Sequence, residues 1–315
     1  MKADMKILVP LNNERDVERY AVAGADQFYF GFFDPEWTTR FTHSADINRM
    51  SAFGTRANRF SFENAKDVIR TIASLGKDSY VTFNANVYSE DQIEFLGERF
   101  YELKEAGVTG VILSDATLVS KALSAGIDAV ASTMMAIYNT DILRYYVGKG
   151  FKRVIVPREC SIDDIKIMHD AFPDVEIEAF YMRNGCLYSD SNCLIDHHFG
   201  GLCTDLRRRK GYLSMSEDSA VDEERLREAL KLFDEKLFSG IACGHCALYD
   251  LYHAGVRALK IVGRADRNDS VLKDIETTQR NLEVVGEAGS KAEYLSHMIK
   301  PDAYCVSGLN CYYRG

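Results

Sequence analysis

The chain predicts an α/β fold, a TIM-type (β/α)8 barrel, on three observations. Eight short apolar runs recur along it, helix-like segments lie between them, and its 315 residues suffice for one large buried core. The runs read KILVPL (6–11), DQFYFG (26–31), YVTFNA (80–85), GVILS (110–114), AVAST (129–133), RVIVP (153–157), VEIEAFY (175–181) and RALKIV (257–262). Near-continuous apolar character fits parallel strands covered on both faces, because a strand with one wet face would alternate. Strands alternating with helices favour a closed barrel over an open doubly wound sheet, which strand count alone leaves as the alternative.

The helical segments carry their own punctuation. SFENAKDVIRTIASLG opens on Ser61 as N-cap, with Asn64 three residues later, and stops at Gly76. SEDQIEFLGERFYELKEAG has Ser89 as cap, acids in the first turn and Gly107 at its end. SIDDIKIMHDAF pairs Ser161 with Asp164. Gly24, Gly107, Gly126 and Gly255 stand where a helix stops in a left-handed residue. The whole of 1–315 reads as one barrel domain, possessing a cysteine-rich insertion at about 183–250, between strands seven and eight, and a short extension at 286–315.

Composition narrows the class. Hydrophobic content of 46% and charged content of 27% describe an ordinary globular protein without low-complexity tracts. No run approaches the roughly 20 apolar residues of a membrane span, and MKADMKILVP lacks the apolar region of a secretory signal. A cytoplasmic location is the expectation, and in that reducing compartment cysteines serve as thiols, metal ligands or catalytic groups. The net charge of −9 opposes unspecific nucleic-acid binding, although Arg207, Arg208, Arg209 and Lys210 form a basic patch suited to an anionic substrate or an RNA phosphate.

Five of the eight cysteines fall in one middle segment: Cys186, Cys193, Cys203, Cys243 and Cys246. Loops after barrel strands build the active face, so these cysteines are expected over one barrel end. Four thiolates suit structural zinc or an iron–sulfur cluster, and spacing alone does not choose between them. His245, His197 and His198 leave mixed Cys/His zinc open, and Cys243 with Cys246 forms a CxxC that a thioredoxin context would make redox-active. Either His197 or His198 could instead move a proton near neutrality. Cys160 reads as a small buried apolar residue.

Other polar residues reach the same end. Lys260 lies inside an apolar strand, where a charge requires a hydrated pocket or an acidic partner. Arg264 follows that strand and suits an anionic substrate; Glu159 could pair with either base, and Glu178, Arg183 and Asn184 lie at strand seven. GFFDPEW could wall an aromatic pocket or cap the barrel. Arg56, Asn58, Asn84, Asn86, Ser132, Thr133 and Met134 are polar or adaptable groups at the expected face.

An ordered set of segments resembles the U32 peptidase family over residues 6–285. These are AVAGADQFYFG, TRANRFSFEN, YVTFNANVYSED, AVASTMMAIYN, RVIVPRECSIDDI, EAFYMRNGCLYSDSNC and RALKIVGR. The resemblance implies a TIM-like barrel and, as in many members, a 4Fe-4S cluster held by Cys186, Cys193, Cys203 and Cys243. Cys246, Cys305 and Cys311 stand in reserve, and zinc is the lesser cofactor expectation. The chain departs from the family pattern at Met182, Arg183 and Asn184, at Arg207 and at Val262, which bears on substrate contacts.

The resemblance implies an iron–sulfur protein that hydroxylates or otherwise modifies RNA or a small molecule without oxygen, and His198, Lys260 and Arg264, by their type and position, are the residues expected to hold substrate. The substrate expected is RNA or a small anionic or aromatic molecule, and a protein partner is a further expectation. A collagenase-like peptidase and a non-catalytic iron–sulfur accessory or RNA-binding subunit are the alternatives.

Overall fold

The computed structural model describes residues 2–41, 46–85, 87–186, 189–192, 242–300 and 311–313. Ten strands are present among them: β1 (Lys6–Pro10), β2 (Gln27–Phe30), β3 (Phe32–Phe33), β4 (Phe60–Ser61), β5 (Asp78–Phe83), β6 (Gly110–Leu113), β7 (Asp128–Ala131), β8 (Arg153–Ile155), β9 (Glu176–Met182) and β10 (Val256–Ile261). Eight close a parallel barrel in the order β1-β10-β9-β8-β7-β6-β5-β2, and β1 pairs with both β10 and β2. The register runs Lys260↔Leu8↔Gln27 across that closure. Each apolar run in the sequence is one barrel strand, and the open-sheet alternative is excluded. The short pair β3-β4 lies outside the barrel.

The helices are α1 (Asp16–Ala23), α2 (Pro35–Arg40), α3 (Phe62–Ser74), α4 (Glu90–Ala106), α5 (Leu118–Ser124), α6 (Thr140–Lys149), α7 (Ile162–Ala171), α8 (Leu248–His253), α9 (Asn268–Glu287) and α10 (Lys291–His297). In α3, Phe62, Ala65, Val68, Ile69 and Ile72 recur at helical spacing and are buried against the barrel. Ser61 accepts the Asn64 N–H as its cap. Full capping boxes join Ser89 to Gln92 and Ser161 to Asp164, each satisfying two amides that a helix start leaves open. Such a cap contributes about 1 kcal/mol. No described helix is long and apolar enough to cross a membrane.

The core has two parts. A large shell fills the space between strands and helices, while Leu8, Tyr29, Tyr80, Ile112, Val130, Ile155, Phe180 and Val262 form a separate cluster inside the barrel. Seven of these come from seven strands and Val262 lies just past β10, so the interior is packed. Burying each large side chain contributes roughly 1.5–3 kcal/mol.

A charged layer accompanies this cluster. Glu178 takes Lys260 Nζ on one oxygen at 2.6 Å and Arg153 Nε on the other at 2.9 Å. Arg153 also donates to Tyr80 and Gln27, both at 2.9 Å. Burial alone would raise the Glu178 carboxyl, but Lys260 and Arg153 outweigh it and hold the group below its ordinary value. Burial pushes Lys260 down to about 8. The acidic partner of Lys260 is thus Glu178 on β9 and not Glu159.

The GFFDPEW segment packs into the shell outside the barrel, with Phe32 against Phe62 and Phe83. Asp34 caps α2, and Trp37 is buried against Phe41, Tyr88 and Phe95. Most of the insertion at 183–250 lies outside the described residues.

Candidate active site at the barrel mouth

Alternation along a strand sends Lys260, Val262 and Arg264 to one side, which is the barrel interior. Arg264 lies beyond the end of β10, at the mouth, because Gly263 turns the chain at φ 123°. Asn12 Nδ2 donates to the Arg264 carbonyl at 2.8 Å and fixes its main chain.

The Arg264 guanidinium is buried, with 6% of the residue exposed. Its Nη1 donates to Thr82 Oγ1 at 3.0 Å and Asn58 Oδ1 at 3.2 Å, and its Nη2 to Asn48 Oδ1 at 3.4 Å. The two asparagines also bond each other, at 3.3 and 3.4 Å. All these acceptors are neutral, and among the described residues no carboxylate pairs with Arg264. Burial pushes its pKa down to about 10, which leaves it a cation at neutral pH. A buried charge without a counter-ion costs several kcal/mol.

A second cationic group sits beside it. Asp190 is buried and accepts from Arg49 Nη1 at 3.1 Å, Thr133 Oγ1 at 3.1 Å and Arg158 Nη1. Burial would raise its carboxyl, but Arg158 and Arg49 outweigh burial and hold it below the usual range. This clasp ties Asp190–Asn192, which follows β9, to residues after β7 and β8. The Arg158 guanidinium lies 3.7 Å over the Phe180 ring. Asn84, at the end of β5, accepts the Arg49 N–H at 3.3 Å.

At the exit of β9, Arg183 and Asn184 take φ values of 67° and 46°, a left-handed region that non-glycine residues rarely adopt. Arg183 is held there by ion pairs to Asp274 and, at 3.5 Å, Asp266. Cys186 and Cys243 are both half-buried nearby in sequence or pairing, and Cys243 forms a bridge with Met182.

These positions correct the cofactor expectation. Among the described residues no group of three or more histidine, cysteine, aspartate or glutamate side chains could hold a metal ion. Of the four expected thiolates, Cys186 and Cys243 belong to no such group among the described residues, and Cys193 and Cys203 lie outside the described residues. The 4Fe-4S assignment, its zinc alternative and the function built on the cluster are withdrawn on that ground. The His245 ring is buried and bonds Tyr181 and Asn281 through Nδ1, so it is engaged in packing; burial lowers its pKa to about 4. Cys160 is buried as expected, and burial pushes its thiol up to about 12.

Of the substrate residues expected, Arg264 is at the mouth, Lys260 is bonded to Glu178 within the barrel, and His198 lies outside the described residues, as do His197, Asn86 and Arg207–Lys210. Asn58, Asn84 and Thr133 take part in the mouth, whereas Arg56 is exposed beside Phe53. Sequence reasoning passed over Asn48, Thr82, Arg158 and Asp190. A signal existed for Thr82, a polar residue inside the run 80–85, and for Arg158, which directly follows the run 153–157.

A closed parallel barrel whose strand ends converge on a buried cation has the architecture of a (β/α)8 enzyme scaffold. The chain belongs to peptidase family U32, whose family model matches residues 13–300. That placement is consistent with enzymatic activity.

Its relatives carry differing activities. It is 25% identical over 280 residues to "Collagenase" of Porphyromonas gingivalis, covering 83% of this chain and 61% of that protein. It is 25% identical over 226 residues to "tRNA hydroxylation protein P1" of Bacillus subtilis, covering 67% and 51%. With "23S rRNA 5-hydroxycytidine C2501 synthase" of Escherichia coli it shares 25% over 261 residues, covering 79% and 38%. The chain thus spans between 38% and 61% of the length of these curated relatives.

Proposed function

We propose that this chain is a collagenase-like peptidase of family U32 that binds an anionic group of a peptide, a carboxylate, at the barrel mouth. The observation supporting this is Arg264, a buried guanidinium with only neutral partners among the described residues. An incoming carboxylate would supply the missing counter-charge, and a guanidinium offers it a bidentate fork of donors. Asn48, Asn58 and Thr82 aim that fork. Arg158, next to the Phe180 ring, provides a second cation to orient the substrate or stabilise charge developing on a peptide carbonyl.

Lys260 acts one layer deeper, where its bond to Glu178 holds β9 and β10 in register. Asp190, bonded to two arginines and held low in pKa, is a poor proton acceptor and a good tether. His198 is retained as the group proposed to transfer the proton, since an unperturbed imidazole titrates near neutrality. The alignment with the Porphyromonas collagenase, which covers 83% of this chain, supports the choice of peptide as substrate.

The same guanidinium favours a second reading, in which it binds an RNA phosphate, in keeping with the names of the tRNA and rRNA relatives. Cleavage of gelatin by the purified chain separates the two. Wild-type protein is expected to cut gelatin, and Arg264→Met to lower kcat/KM by about 100-fold, in line with loss of a charge-assisted contact. Absence of gelatin cleavage together with tRNA binding that Arg264→Met abolishes would move the assignment to RNA.

A further inference from the structure

Residues Cys311–Tyr313 lie on the barrel mouth as an added strand of peptide would. Ala242–Gly244 first extends the end of β9: Arg183 N–H donates to Ala242 O at 2.7 Å and Gly244 N–H to Tyr181 O at 2.8 Å. Cys311 then pairs with Cys243 in a parallel bridge, and Tyr312 N–H donates to Cys243 O at 3.0 Å.

Side chains complete the docking. The Tyr312 ring stacks on Phe180, with centroids 6.2 Å and planes 18° apart. Among the described residues it is the partly buried side chain that packs on the cluster inside the barrel. Its hydroxyl donates to Arg183 O, and the Tyr313 hydroxyl donates to Phe180 O at 2.8 Å. Arg158 lies over the same Phe180 ring.

Main-chain pairing joined to a side-chain pocket is how an extended peptide adds to a sheet edge. We propose that the Cys243 main chain, the Phe180 ring and Arg158 form a subsite for an extended peptide bearing an aromatic side chain, which Cys311–Tyr313 occupies as an intramolecular competitor. This rests on the peptide reading of the mouth and specifies its substrate: a strand with an aromatic residue one step from its pairing with Cys243. The occupant favours peptide over nucleotide because it uses a backbone N–H that a nucleotide lacks.

A competitor reduces apparent affinity by the fraction of molecules in which the subsite is open, so removing it tightens binding. The test uses the full chain and an N-terminally fluorescein-labelled Gly-Ser-Tyr-Tyr-Gly peptide, read by anisotropy. Tyr312→Ala is expected to bind this peptide about tenfold more tightly than wild type. Tyr312→Phe, which keeps the ring, is expected to stay within about threefold of wild type. A peptide with alanine for both tyrosines should show no gain.

Unchanged affinity in Tyr312→Ala overturns the proposal, as does an equal gain for the alanine peptide or a gain for uridine monophosphate alone. Thermal melting checks each variant, and Tyr312→Leu, expected to show the same gain, replaces Tyr312→Ala if that variant does not melt cooperatively. Because binding is read without turnover, a peptide that binds more tightly to the variant yet is never cut refutes hydrolysis and leaves the subsite standing.

Discussion

Gly31 lacks a side chain where Arg264 needs the room: a Cβ there would stand 2.4 Å from Arg264 Nη1 and 2.2 Å from Asn58 Oδ1. The constraint is one of close approach, since both atoms belong to the buried network that aims the guanidinium. Gly31→Ala is therefore expected to push Arg264 and Asn58 apart. Overpacking of this kind costs about 1–3 kcal/mol, and chemical denaturation of the variant checks it. Weaker binding of an acidic peptide should accompany the loss of stability.

Arg264→Met should do the opposite to the folded protein. It removes a buried charge that no carboxylate compensates among the described residues, and it retains much of the volume, while Asn48 and Asn58 keep their bonds to each other and Thr82 keeps its bond to Phe30 O. The expected outcome in a urea titration is stabilisation of about 1–3 kcal/mol. A loss of more than about 1 kcal/mol would show instead that Arg264 serves the fold.

The interior ion network gives an asymmetric expectation. Glu178→Leu strands the buried Lys260 and leaves Arg153 with Glu176 as its acidic partner, whereas Lys260→Met leaves Glu178 bonded to Arg153. Glu178→Leu should cost about 3–5 kcal/mol and Lys260→Met less. The double variant should cost less than the sum, because the two residues share one bond. Equal single costs in urea denaturation would contradict the geometry.

The Asp190 clasp has a pH signature. Its folded-state pKa lies below the ordinary 3.8, so the unfolded chain binds the proton first as acid is added. The clasp's contribution is therefore fully present well above pH 3.8 and is lost as pH falls through the depressed folded value. Asp190→Asn should remove that contribution at neutral pH. Hydrogen exchange at residues 189–192, measured in wild type and variant at pH 7, should be faster in the variant.

The barrel was legible because burial on two faces leaves a mark in each strand by itself. Eight apolar runs became eight strands, and Ser61, Ser89 and Ser161 cap their helices because capping acts over three residues. The mouth was legible only in part. Arg264 was identified from its place after a strand, but its partners Asn48 and Thr82 lie 216 and 182 positions away in sequence. Local pattern does not encode such pairings, nor the closure of Asp190 onto Arg49 across 141 positions. The cysteines drew attention through proximity in sequence, which fixes neither side-chain direction nor a shared ligand. Tyr312, near the other end of the numbering, had no local feature to connect it with Phe180.

The most direct measurement is the calorimetric affinity of a short Tyr-containing peptide with a free C-terminal carboxylate, compared with the same peptide amidated, in wild type and in Arg264→Met. A carboxylate received by Arg264 should bind wild type about tenfold or more tightly than the amide, as a charge-assisted pair requires, and this difference should vanish in Arg264→Met. Equal binding of acid and amide to wild type, or an acid preference that survives Arg264→Met, would contradict carboxylate recognition at the barrel mouth.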